Sequence, residues 1–184
     1  MWFFYLTLIV AFVIQIYMFC CGGGRQPPSN YICLAVFTFC EAYLVSFISS
    51  ITGKQSGNSV VMLAGVYTLG NLDDILAIVV ALTLYACYTE SDFTTSYGIM
   101  IVLLVCLVTL GITSMFVDSP FIENLYCMVG VMLFGFYLIV DTQMIMGGKN
   151  VELSIDEYIL AAMMLYIDII QIFLYLLRFL GGRD

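Results

Sequence analysis

The chain has 184 residues, 63% of them hydrophobic and only 10% charged, against about a quarter charged in soluble domains. That excludes a water-soluble globular protein and indicates an all-α membrane protein, a polytopic helical bundle forming a single domain over residues 1–184. Acidic residues outnumber basic ones 13 to 5, giving a net charge of −8, and no basic arm or patch is present to hold nucleic acid.

A bilayer core about 30 Å thick takes roughly 20 apolar residues to cross. Six runs reach that length. The first, residues 1–21, has no charge and no basic residue before it, so it reads as a true span and not as a signal peptide. It ends in Cys20-Cys21 at a membrane edge, where the thiols are either palmitoylated or simply packed. The second, residues 31–51, contains Glu41 at its middle. The third, residues 60–88, is 29 residues long, too long for one span without strong tilt. Within it "LGNLDDI", residues 69–75, is polar and turn-like, and reads as an insertion that breaks or kinks the helix. The fourth, residues 97–117, has no charge. The fifth, residues 124–146, carries Asp141 near its end, and the sixth, residues 155–180, carries Asp168 near its middle. Ser154 and Glu157 have capping-box spacing, which predicts a helix start at Ile155.

Helices are the only spans this pattern allows, because lipid satisfies no backbone groups and the ten-residue alternation of a barrel is missing. The connections are short and rich in turn residues, so neighbouring helices run antiparallel. No internal repeat marks an inverted-repeat transporter. Basic residues near the span ends divide as Arg25 and Lys149 against Lys54, Arg178 and Arg183, which leaves orientation undecided. The seven cysteines show no metal-ligand spacing, and no cofactor is expected.

Three carboxylates remain inside apolar spans: Glu41, Asp141 and Asp168. Ionised at the bilayer centre, each costs about 2.5–3.5 kcal/mol on insertion scales. Helical spacing puts Met164, Gln171 and Tyr175 on the face of Asp168, and Tyr137 and Met144 on that of Asp141. The acids therefore face the bundle interior. Two carboxylates brought together cannot both ionise cheaply, so they share a proton. Such a pair closes a passage while protonated. It opens, or weakly holds a divalent cation such as Ca²⁺, once deprotonated. The alternative is that each acid is a protonated structural residue bonded to a neighbouring helix. With no histidine in the chain, a response to pH near neutrality falls to such groups or to thiols.

"FGFYLIVDTQMIMGG" followed by "LSIDEYILAAMMLYIDIIQIFLYLLRFLG" closely resembles the C-terminal signature of the transmembrane Bax-inhibitor-motif family, in its lifeguard branch. "RQPPSNYICLAVFTFCEAYLVSFISS" and "ALTLYACYTESDFT" resemble the same branch, so the likeness covers most of the chain from Arg25 onward. The resemblance implies a seven-helix fold with the last helix central, of which this sequence shows six and lacks the first. It implies a pH-sensitive Ca²⁺ leak of endomembranes, in the endoplasmic reticulum or Golgi, whose animal members restrain cell death. By the same resemblance Asp141 and Asp168 match the paired aspartates of the pH-sensing gate. Arg25 matches a basic residue that engages them, and Glu41 an acid found in part of the branch. The expected partners are membrane lipid, Ca²⁺ as permeant or weakly bound ion, and cell-death regulatory membrane proteins.

Two other function classes compete. One is a non-conducting membrane interaction protein regulating apoptosis or stress. The other is an intramembrane aspartyl protease, which needs G-x-G-D on one span and Y-D on another. Here Asp141 follows Leu138-Ile139-Val140, and Ile167 separates Tyr166 from Asp168, so both motifs fail and the protein is not expected to be an enzyme.

Overall fold

The computed structural model describes residues 2–23, 27–55, 60–117 and 119–181, with side chains for all of these except 51–72, 74 and 181. Six long helices occupy the places of the six apolar runs: α1 (Trp2–Cys20), α2 (Ser29–Gln55), α3 (Val60–Tyr88), α4 (Tyr97–Phe116), α5 (Pro120–Met146) and α6 (Tyr158–Gly181). Single 3₁₀ turns at Thr94–Ser96 and Ile155–Glu157 lead into α4 and α6. No strand occurs among the described residues. Five helical segments are long and apolar enough to cross a bilayer, and the described apolar part of α3 is the shorter Ile75–Tyr88. This is the architecture of a polytopic helical membrane protein.

The helix ends depart from the hydropathy boundaries in an understandable way. α2 continues to Gln55 and α5 begins at Pro120, each about a turn beyond the apolar run. Hydropathy measures the hydrocarbon thickness, whereas backbone hydrogen bonding continues into the interface. Proline suits the start of α5 because it lacks only an N–H that would have no helical partner there. At the start of α6 the capping box forms as its spacing predicts. Ser154 N donates to Glu157 Oε2 at 3.0 Å and the Ser154 side chain accepts from the Glu157 N–H, which also donates to the Ser154 backbone carbonyl at 3.0 Å. The expected interruption at residues 69–75 is not seen: α3 is helical from Val60 through Tyr88. Asp73 points outward, while Ile75, two residues and about 200° further round the helix, is buried. The backbone stays helical across the polar stretch, with Asp73 facing away from the core.

The bundle is organised around α5 and α6, which pack along each other. α5 also contacts α3 and α4, and α6 contacts α2 and α3, while α1 rests on α2. Half of the α5 span is buried, compared with 39% for α6, 17% for α1 and 11% for α4. The centre is therefore shared by α5 and α6. One face of α6 meets different partners at its two ends. Ile159 and Met163 pack with Phe37, Cys40 and Ala11, and Phe173 and Leu177 pack with Ile75.

The α5–α6 approach depends on a missing side chain. A Cβ at Gly130 would lie 2.5 Å from the ring of Tyr175. That ring cannot easily retreat, since it stacks on Phe134 and meets Tyr126 edge-on, with the two hydroxyls 3.1 Å apart. Small residues play this role in membranes, where close backbone packing replaces the hydrophobic drive. Gly130→Ala is expected to destabilise the bundle by about 1–3 kcal/mol through overpacking, read as a lower unfolding midpoint in detergent. Full stability in that variant would show that the ring moves freely.

Candidate functional site

Asp141 lies in the last part of α5 and Asp168 in the middle of α6, and each is only 4% exposed. The helices bring the two carboxyls within hydrogen-bonding reach of each other. For that contact to be a hydrogen bond, one of the two must carry a proton. Asp168 Oδ2 has no hydrogen-bond partner among the described residues, although it is buried. Such a group is costly unless water, an ion or a ligand meets it. Both acids line a cavity of about 400 Å³ with walls from α1, α4, α5 and α6.

Tyr97, the first residue of α4, completes the polar set, and hydropathy alone did not single it out. Its hydroxyl lies 2.8 Å from Met144 Sδ and 3.4 Å from Asp141 Oδ1, so it donates to one or the other. Tyr137, on the same face as Asp141, also lines the cavity. From α6, Met164 joins Asp168 there, but Gln171 and Tyr175 do not. Tyr175 instead belongs to the Gly130 contact.

Glu41 is not part of this arrangement. It is half-buried on α2, within electrostatic range of Tyr166, and is not among the residues lining the cavity. Tyr166 and Asp168 are two residues apart and so lie on opposite sides of α6. Arg25 lies outside the described residues.

The α5–α6 connection positions Asp141. Gly147 and Gly148 have φ of +73° and +77°, values that favour glycine, and they end α5 and turn the chain. Leu153 N then donates back to Met144 O at 3.0 Å. Thr142 Oγ1 donates to Leu138 O at 2.7 Å within its own helix, so it supports α5 and not the acids. Gln143 does more than local support. Only 1% exposed, it accepts from Phe93 N at 3.0 Å and donates to Ser91 O at 2.9 Å. It thereby ties α5 to the loop that leads into Tyr97.

Asp92 is the hub of that loop. Its Oδ1 accepts from Thr94 Oγ1 at 2.6 Å and Thr94 N at 2.9 Å. Its Oδ2 accepts from Asn150 Nδ2 at 2.7 Å and Asn150 N at 3.0 Å. Lys149 Nζ donates to Glu90 O at 3.0 Å beside it. The Thr94 hydroxyl first, then the Asn150 amide, hold the Asp92 carboxyl below the usual carboxylate range. A carboxylate depressed on folding stabilises above its unfolded value, and that stability is lost as pH falls through the folded value. The stability advantage of the native protein over Asp92→Asn is therefore expected to hold from neutrality down to about pH 4 and to fade below it. Thermal unfolding in detergent across acid pH checks this, and an advantage that grew on acidification would contradict it.

Residues 1–184 match the family model described as "Inhibitor of apoptosis-promoting Bax1". The chain is 30% identical to human Protein lifeguard 3 over 186 aligned positions, covering 98% of this chain and 56% of the human protein. It is 28% identical to mouse Protein lifeguard 3, covering 98% of this chain and 57% of the mouse protein. An uncharacterized protein of Campylobacter jejuni is 28% identical over 157 positions, covering 85% of this chain and 63% of the bacterial protein. The chain thus spans little more than half the length of the mammalian relatives it matches.

Proposed function

Because the chain belongs to the family of inhibitors of apoptosis-promoting Bax1, in its lifeguard branch, we propose that it is a pH-sensitive Ca²⁺ leak pathway of endomembranes, of the endoplasmic reticulum or Golgi, that acts alongside cell-death regulatory membrane proteins. The observation that carries this reading is the enclosure of Asp141 and Asp168 together, within hydrogen-bonding reach and at the edge of one cavity. With one shared proton the two carboxyls bond across the α5–α6 interface and hold the passage closed. Loss of that proton leaves two carboxylates that repel each other and attract a divalent cation. Leak therefore rises as pH rises.

Two carboxylates suit passage better than storage. Ca²⁺ prefers six to eight oxygen ligands at tight sites. Among the described residues no group of three or more His, Cys, Asp or Glu side chains is assembled to hold a metal. Tyr97 is assigned a positioning role, since its hydroxyl reaches Asp141 from α4.

Ca²⁺ release from dye-loaded liposomes containing the protein tests the reading. The native protein is expected to release Ca²⁺ faster at mildly alkaline than at mildly acid pH. The double variant Asp141→Asn/Asp168→Asn is expected to lose that dependence. Identical release by the native protein and empty liposomes would reject conduction and leave the role of a non-conducting interaction protein in its place.

A further inference from the structure

The Tyr97 hydroxyl is held by the weaker of its two acceptors. It lies 2.8 Å from Met144 Sδ and 3.4 Å from Asp141 Oδ1. A thioether sulfur accepts weakly, whereas a carboxylate oxygen accepts strongly. Hydrogen bonds from a hydroxyl to oxygen are about 2.5–3.0 Å long, so the contact to Asp141 is stretched while the contact to sulfur is close. The acid pair accounts for this order. Asp141 already shares a hydrogen bond with Asp168, and while the two hold one proton between them it has little need of a second donor.

That balance changes when the shared proton leaves. Asp141 loses its donor, and Asp168 becomes a second negative charge beside it. Among the described residues, the ionisable groups acting on Asp141 are Asp168 from α6, Tyr97 from α4 and Tyr137 on α5 itself. Those of α3 between Ile75 and Tyr88 are Tyr85, Cys87 and Tyr88, all exposed. Arg25 lies outside the described residues and is the same in every protein compared below. Of the two tyrosines, Tyr97 is the one that hydrogen-bonds to Asp141. Its oxygen needs to move by about 0.7 Å to turn the 3.4 Å contact into an ordinary bond of about 2.7 Å.

Met144 is suited to let the hydroxyl go. It is 7% exposed and packs in a buried cluster with Met100 and Val140. An amide or hydroxyl left there without a partner would be penalised, whereas a thioether rests among apolar side chains without one.

We propose that the Tyr97 hydroxyl passes from Met144 to Asp141 when the pair loses its proton, which makes Met144 a positioning residue that sets the pH of opening. The sulfur holds the hydroxyl in the closed state and so favours that state. Asp141 claims it in the open state. The inference rests on the acid pair of the proposed leak and adds a regulator to it.

The pH titration of Ca²⁺ release from proteoliposomes tests it, on the native chain, Met144→Leu, Tyr97→Phe and the double variant. Leucine keeps the bulk of methionine but accepts no hydrogen bond, so the Met144→Leu midpoint is expected to move about half a pH unit to the acid side. Tyr97→Phe removes the donor to the open pair, and its midpoint is expected to move about half a unit to one unit to the alkaline side. In the Tyr97→Phe background Met144→Leu is expected to change nothing, a result that a role in packing alone would not give. A Met144→Leu midpoint that stays or moves to the alkaline side, or a shift of equal size with and without the hydroxyl, would overturn the proposal. Should Met144→Leu fold poorly, Tyr97→Phe decides, and a midpoint that stays or moves to the acid side overturns it. The infrared band of the protonated aspartic carboxyl, taken as the difference between each protein and its Asp168→Asn counterpart, follows the same proton without conduction. Leak with an unmoved Met144→Leu midpoint rejects the handover and leaves the leak standing. The expected infrared shifts in a protein that releases no Ca²⁺ do the reverse.

Discussion

Asp168→Asn is expected to leave Ca²⁺ release low and nearly independent of pH in proteoliposomes. Asparagine has almost the size of aspartate, so packing in the middle of α6 is preserved. Its amide donates to the Asp141 carboxylate at every pH, which imitates the protonated, closed pair and cannot be titrated away. A hydrogen bond to a charged group is worth about 1.5–3 kcal/mol. Making it permanent shifts the balance between closed and open by roughly 10- to 100-fold, and release at alkaline pH should fall by that factor. Asp141→Asn should flatten the pH profile in the same way. Glu41→Gln should not, because Glu41 is not among the residues lining the cavity. A Glu41→Gln profile as flat as that of Asp168→Asn would show that the gate is not confined to the pair.

Gln143→Leu is expected to lower stability by about 2–4 kcal/mol, since it leaves the Phe93 N–H and the Ser91 carbonyl without their partner, at about 1–3 kcal/mol for each buried group. Leucine fills the space of the glutamine, so the loss reports the hydrogen bonds and not a cavity. The midpoint of thermal unfolding in detergent measures the total. Hydrogen exchange at the Phe93 amide localises it, because that N–H is held by Gln143 Oε1 at 3.0 Å. The effect should reach the gate as well. Phe93 is one helical turn before Tyr97, whose hydroxyl approaches Asp141. An unchanged midpoint and unchanged exchange at Phe93 would mean that Asp92 and Lys149 hold the loop by themselves.

How far the sequence spoke for the structure differs from residue to residue. The pairing of Asp141 and Asp168 was expected from the family resemblance, since position along the spans alone put Asp141 nearer a membrane edge than Asp168. The turn itself was legible, because two successive glycines suit the positive φ that Gly147 and Gly148 adopt. So was the capping box at Ser154, a local motif that needs no tertiary context. Periodicity gave the side of α6 on which Asp168 lies, and Met164 joins it in the cavity as that spacing implies. It could not show that Glu41 would lie away from the cavity, because the rotation of α2 against α6 is set by packing of Phe37 and Cys40. Nor could it assign Gln143. A polar residue beside an acid reads as local support, and only the fold shows that the loop of Ser91 and Phe93 returns to meet it. Tyr97 was hidden for the same reason: its partner is 44 residues away in sequence. Of the break or kink read at residues 69–75, no break forms, because hydropathy counts what lipid tolerates, while a helix can persist where a polar side chain such as Asp73 faces outward.

The most direct test of the account is the pH titration of Ca²⁺ release by the native protein, at fixed Ca²⁺ gradient and membrane potential, from mildly acid to mildly alkaline conditions. A single shared proton on Asp141 and Asp168 predicts release that climbs with pH along a one-proton curve. Release that is flat across this range, or that climbs on acidification, would contradict it.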